Sequence, residues 1–225
     1  MTSGWPLVEE AGTAAELHGD RLPVPERRLV RLASVEGPAL VLGSAQVAGG
    51  LDLEAAAAQR VEVARRRSGG GAVLVWPGHL VWLDVCLPRG DDLWDDDVGR
   101  SCRWLGDAVA GALRQLGAAG VHAHPGAYEP SAWSHQVCFA GRAPGEVVAD
   151  DGRKLVGVSQ RRTRQGAVFQ VAVALVWAPR VLVDLLGLPG VAATAVAGTG
   201  VGLGELVRSV RATDVVGGVL DSLPR

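Results

Sequence analysis

The chain has 225 residues, 48% of them hydrophobic, so it can bury a core of ordinary size. Its formal net charge of -2 removes the bulk electrostatic case for a nucleic-acid partner. No apolar run approaches the roughly 18 residues of a spanning helix, which argues against a membrane protein. Residues Met1 to Glu10 carry Glu9 and Glu10 and no basic stretch followed by an apolar one, so no leader is expected and the location is read as cytoplasmic. Cys86, Cys102 and Cys138 are odd in number and widely spaced, which points to neither a disulfide framework nor a zinc site.

In chain order, residues 39–43 form a short apolar run that predicts a buried strand. Asp52 caps a predicted helix over 53–64, which the stretch Arg65 to Gly71 breaks. Runs 72–76 and 79–87, parted by Pro77-Gly78, read as a hairpin whose second strand is covered on both faces. Val98, Cys102, Leu105, Val109, Leu113 and Leu116 recur at helical spacing, predicting a helix over 96–117 with Asp95 to Asp97 capping its start. Residues 120–136 read as loop. A second hairpin, 145–149 with 153–160, turns at Asp150-Asp151-Gly152. A strand over 168–176 follows, then helices over 180–187 and 204–211 separated by a small-residue loop, 189–203. The mixed order predicts an α+β fold: a mixed, largely antiparallel sheet flanked by helices, in a single domain over 1–225.

Composition also singles out one residue. Among 22 Lys+Arg, Lys154 is the one lysine, and the chain has no Asn and no Ile. Such depletion reads as a bias against AT-rich codons, under which a lysine that arginine can replace becomes arginine. A lysine that persists is a candidate for work that needs a compact point charge. Lys154 follows the hairpin turn, in step with Val156 and Val158, so alternation places it on a sheet face over a pocket. Gly157 permits close approach of a ligand or a backbone.

A second motif is Arg65-Arg66-Arg67-Ser68-Gly69-Gly70-Gly71-Ala72-Val73. Successive amides in a glycine turn cradle anions, and neighbouring arginines pair with phosphate. No Gly-Lys-Ser/Thr follows, so it is not a P-loop. His79, which opens the next strand, is a candidate to face the same ligand. His122, His124 and His135 are read as loop residues rather than as metal ligands, and no metal site is expected.

Together, Arg-Arg-x-Ser-Gly-Gly-Gly-Ala-Val and Gly152-Arg153-Lys154-x-x-Gly157-x-x-Gln160 resemble the signature of the lipoate–protein ligase A, octanoyltransferase and biotin ligase superfamily, in the manner of a short actinobacterial-type paralogue. Leu42-Gly43-Ser44-Ala45-Gln46 is similar to that family's early Leu-Gly-x-x-Gln element. The resemblance implies that Arg66, Arg67, Ser68, Gly69, Gly70, Gly71, Ala72, Gly157 and Gln160 hold an acyl-adenylate, and that Lys154 stabilises charge at the acyl carbon. Cys138-Phe139 resembles the Cys-Phe element of the octanoyltransferase branch, whose cysteine carries a thioester. By its residue type alone, Cys138 fits a nucleophile and a small buried side chain equally. One departure is clear: Phe169-Gln170-Val171-Ala172 stands where many relatives carry Gln-His-Gly or His-His-Gly.

Three activities follow from the resemblance. The first is an acyl–protein ligase that uses ATP and Mg²⁺, forms lipoyl- or octanoyl-adenylate, and modifies a lysine of a lipoyl-carrier domain of the 2-oxoacid dehydrogenase E2 or glycine-cleavage H protein type. The second is an acyl-carrier-protein-dependent octanoyltransferase that works through a Cys138 thioester without ATP. The third is a non-catalytic acyl- or adenylate-binding paralogue. Larger ligases carry a C-terminal accessory domain. None is read after Trp177, so a separate accessory protein or a preactivated donor is expected.

Overall fold

The computed structural model describes residues 4–19 and 21–225; Met1, Thr2 and Ser3, part of the segment read as lacking a leader, lie outside them. The elements run β1 (Leu7–Gly12), α1 (Ala14–His18), β2 (Leu29–Val35), β3 (Ala39–Leu42), α2 (Leu53–Ala58), β4 (Glu62–Arg65), β5 (Val73–Val75) and β6 (Leu80–Pro88). They continue with α3 (Arg103–Gln115), β7 (Val121–Ala123), β8 (Val147–Ala149), β9 (Lys154–Arg162) and β10 (Gly166–Ala174). The chain closes with α4 (Pro179–Leu185), α5 (Val191–Ala197), α6 (Leu203–Leu206) and α7 (Ala212–Ser222). The α+β expectation holds.

Seven strands form the main sheet in the order β1-β2-β6-β10-β9-β8-β7, antiparallel at every pairing except β1 with β2. A smaller sheet, β4-β3-β5, packs against it. Strand alternation divides the main sheet into two faces. Val30, Val81, Leu83, Val85, Phe169 and Val171 bury against α3 and α7 in the largest core cluster. The opposite face carries Arg31, Trp82, Asp84 and Gln170, and the small sheet covers part of it through Val41 and Val75. A third cluster joins Leu40, Leu42 and Phe139 to α4 and α5.

Several predicted boundaries shift, each for a local reason. Asp52 does cap a helix, accepting from Ala55 N at 2.8 Å, but that helix ends at Ala58. Arg60 adopts the left-handed conformation (φ 53), and Val61 to Arg65 then run into a strand parallel to β3. The Pro77-Gly78 turn forms, but its two strands part. β5 pairs with β3, while β2 and β10 occupy both edges of β6. The predicted helix over 96–117 begins at Arg103. Asp97 Oδ1 accepts from the turn amides of Gly99 and Arg100, and Arg162 binds the carbonyls of Asp95 and Asp96, which holds the acidic stretch in a loop.

Within the segment 120–136 lies the short strand β7, and the small-residue loop 189–203 contains α5. The helix over 204–211 shortens to α6, and β1, α1, β2 and α7 are elements beyond those the sequence pattern predicts. The second hairpin forms, with a register shift between Val147 and Val148. That bulge breaks the simple alternation: Val156 turns into the main core, and Lys154 shares its side of the sheet with Gly157, since both meet Glu146.

Candidate active site

A cavity of about 350 Å³ opens between the two sheets, within the range of ordinary ligand sites. Its floor is β6, β10 and β9. Its walls are the small sheet, the loop 66–71 and the segment 138–146.

The loop is fixed by a lattice of backbone contacts. A Cβ on Gly43 would stand 1.9 Å from the Gly70 carbonyl oxygen, and one on Gly71 would stand 2.6 Å from the backbone of Val137. Gln46 locks the same junction: its Oε1 accepts from Gly43 N, and its Nε2 donates to the carbonyls of His135 and Gln136. The Leu42-Gly43-Ser44-Ala45-Gln46 element is therefore the seat of the glycine loop. Ala72, buried under it, bridges to Val137 and accepts from Cys138 N at 3.0 Å, bringing residue 138 beside the loop.

Arg66 is buried, and its guanidinium holds the loop. It donates to the carbonyls of Val41, Gly69 and Gly71 and to Ser68 Oγ. Burial presses its pKa below the ordinary arginine value, against the pull of Cys138 and Glu146. The amides of Gly69, Gly70 and Gly71 meet no protein acceptor among the described residues, leaving three donors for an anion.

Lys154 is 1% exposed and reaches into this cavity from the start of β9. Its Nζ donates to the Cys138 carbonyl at 2.6 Å and to Glu146 Oε2 at 2.8 Å, and it lies over the Phe139 ring. Burial opposes the charge, but Glu146, Cys138 and Tyr128 outweigh it and hold the ammonium above the usual lysine pKa. Glu146 is fixed in turn by the amides of Ala143 and Val158. The Cys138 side chain is half-buried and lines the cavity. Burial pushes the Cys86 thiol up to about 12 and Cys102 to about 11, marking both as inert.

The remaining candidates divide. Ser68, Gly157 and Gln160 line the cavity. Ser68 Oγ meets Ser159 Oγ at 3.1 Å, and Gln160 Nε2 anchors the loop before α3 through the Val98 carbonyl. A Cβ on Gly157 would meet Phe139 and Glu146 at ordinary distances, so no close approach requires glycine there. Arg67 is exposed and outside the lining, and Ala72 lies beneath it. His79 also lies outside, in a smaller adjoining cleft, stacked on Trp76 with its buried Nδ1 unpaired.

Sequence reasoning missed Glu146, His18 and Asp84. A lone charge within the apolar run Leu80 to Leu87 marked Asp84. Glu146 carried no such mark.

Residues 18–207 match the model of the lipoyl protein ligase A/B catalytic domain, and the chain belongs to that family. It is thus an enzyme of the ligase or acyltransferase kind. Among curated proteins no match is found. The fold is similar to a bipartite lipoate protein ligase of the archaeon Thermoplasma acidophilum, studied with its E2 lipoyl domain (TM-score 0.74, 19% identity, 99% of this chain and 82% of that one). It is similar to a putative lipoate protein ligase from T. acidophilum with bound lipoic acid (TM-score 0.71, 19% identity, 99% and 84%). A lipoate-protein ligase A bound with ATP gives a TM-score of 0.70 at 18% identity, over 99% and 84%.

Among the described residues no helix is long and apolar enough to cross a membrane. Nor does any group of three or more His, Cys, Asp or Glu side chains suit a metal ion. Among the described residues Glu146 is the one carboxylate lining the cavity, and Lys154 and two amides already occupy its oxygens.

Proposed function

We propose that the chain attaches a lipoyl- or octanoyl-type acyl group to a lysine of a carrier domain, with the activated carboxyl held between Lys154 and the glycine loop. The observation that carries this reading is one buried, charged lysine in the same cavity as three unanswered backbone amides. Negative charge that develops on the acyl oxygen as the carrier amine attacks meets a fixed cation, at no reorganisation cost. The amides suit the phosphate of an acyl-adenylate, so ATP is the activating substrate. Mg²⁺ then enters with the nucleotide, because the carboxylate present is already engaged.

The placement of Cys138 supports a second route. Its thiol borders the cavity beside Lys154 and Arg66. The thiolate would displace acyl carrier protein from its thioester, and the carrier lysine would then displace the thiolate. The same reading takes a cytoplasmic location and a carrier domain of the E2 or H protein type as acceptor.

Intact-protein mass spectrometry after incubation with octanoyl-acyl carrier protein, and separately with lipoate plus ATP, tests these routes. A hydroxylamine-sensitive adduct that Cys138→Ala removes establishes the thioester route. Recovered acyl-adenylate with Cys138→Ala still active establishes the ligase. Neither product, with wild type and Lys154→Ala indistinguishable, refutes the proposal.

A further inference from the structure

The cavity has a second polar end, away from Lys154. Asp84, fully buried, accepts from Arg31 Nε at 2.8 Å, from Arg31 Nη2, from Trp82 Nε1 at 2.9 Å and from Gln170 Nε2 at 3.2 Å. Burial raises its pKa while Arg31, Trp82 and Gln170 lower it, and four donors define an acceptor-only carboxylate. That carboxylate fixes the orientation of Gln170, because only the amide nitrogen can face it.

The same nitrogen lies 3.2 Å from His18 Nδ1, which makes Nδ1 an acceptor and leaves the ring proton on Nε2. The His18 ring stacks on Trp82 at 4.2 Å. Burial, reinforced by Arg66 and Arg31, pushes its pKa down to about 3, so the ring is neutral.

His18 is 6% exposed and Gln170 9%, and both line the cavity. Among the described residues, no protein group meets His18 Nε2 or Gln170 Oε1. One N–H donor and one carbonyl acceptor, on residues joined through His18 Nδ1 and Gln170 Nε2, are therefore held at this end of the cavity and left unanswered. Lys154 is on β9, whereas Trp82 and Asp84 are on β6, with β10 between. Two strand spacings, about 10 Å, separate those strands. The wall between is apolar, from Val41, Val73 and Val75. A medium-length acyl chain spans such a slot, with its carboxyl at Lys154 and its far end against His18 and Gln170.

A plain alkyl end would cover both polar groups without answering either. Sites built to bond a hydroxyl or amide discriminate strongly against analogues that lack it. We propose that His18 and Gln170 form a recognition subsite for a neutral hydrogen-bonding group at the far end of the acyl chain, such as a hydroxyl or a carboxamide. The acid taken is then a medium-chain carboxylate with a polar terminus. This rests on the acyl-holding reading above.

Isothermal titration calorimetry of the full chain with octanoic acid, lipoic acid, 8-hydroxyoctanoic acid and the monoamide of suberic acid tests it. The hydroxy acid or the monoamide should bind at least tenfold tighter than octanoic acid, by the discrimination typical of such sites. Gln170→Leu should abolish or reverse that preference. Octanoic or lipoic acid binding as tightly as the polar-ended acids overturns the subsite and leaves the acyl-holding reading intact. Binding of none of the four overturns the subsite, while the acyl-holding reading is decided by the mass-spectrometry test above. If Gln170→Leu does not fold, the wild-type ranking alone decides.

Discussion

Replacing Glu146 with alanine isolates the charge arrangement around Lys154. The two side chains are 1% and 5% exposed and meet at 2.8 Å. Without the carboxylate, Lys154 keeps one carbonyl partner, that of Cys138. Breaking a buried pair on one side typically costs about 3–5 kcal/mol. The amides of Ala143 and Val158 also lose an acceptor, but they border the cavity, where water can reach them, and they add little. With a urea m-value of about 2 kcal/mol/M, the midpoint falls by roughly 1.5–2.5 M. Glu146→Ala combined with Lys154→Met removes both charges, so the double variant should be more stable than the single one. Urea titrations followed by circular dichroism measure four proteins: wild type, Glu146→Ala, Lys154→Met and the double variant. A single variant within about 1 kcal/mol of wild type, or a double variant as unstable as the two singles summed, would refute the reasoning.

Other outcomes follow from the same geometry. Gly71→Ala drives a methyl into the backbone of Val137 and Cys138, at 2.6 and 2.7 Å, whereas Gly69→Ala meets nothing within 4 Å. Thermal melts should therefore show a loss of more than about 2 kcal/mol for the first and under about 1 kcal/mol for the second. For His18 the folded-state pKa lies below its ordinary 6.5, at about 3. The unfolded chain then binds the extra proton between those values, and stability present above pH 6.5 is lost as pH falls toward 3. Over 1.5 pH units that amounts to about 2 kcal/mol, and His18→Gln should flatten this part of the stability–pH curve between pH 6.5 and 5. An unchanged slope in the variant counts against a buried neutral imidazole. Lys154→Arg should lose acyl-group binding in calorimetry, because the broad guanidinium cannot fit between the Cys138 carbonyl and Glu146.

Sequence made Lys154 and the glycine loop legible because each breaks a pattern, one in composition and one in local chemistry. It could not show how Arg66 spends its donors. A guanidinium beside a glycine turn looks like a phosphate ligand, yet here it binds carbonyls of the turn itself. Glu146 was hidden because a bulged hairpin, not a spacing rule, brings it to Lys154. His18 and Gln170 lie 152 residues apart, one at the end of α1 and the other on β10, and only the packing of that helix end against the sheet makes them neighbours. In the fold, strands covered on both faces and the hairpin at Asp150 to Gly152 were readable from local pattern. The pairing of β5 with β3 was not, because a tight turn specifies a reversal without specifying a partner. The start of α3 was missed because aspartates that suit a helix cap suit a turn equally well.

Lys154 is oriented by the main-chain oxygen of residue 138, which every amino acid carries in the same place. The thiol at that position is therefore an independent module. Under the proposed thioester route, a single codon change at 138 would add or delete a covalent way-station while the position of the Lys154 ammonium stays as it is. The two proposed roles of residue 138 are thus separable, since the thiol belongs to its side chain and the contact that orients Lys154 to its backbone.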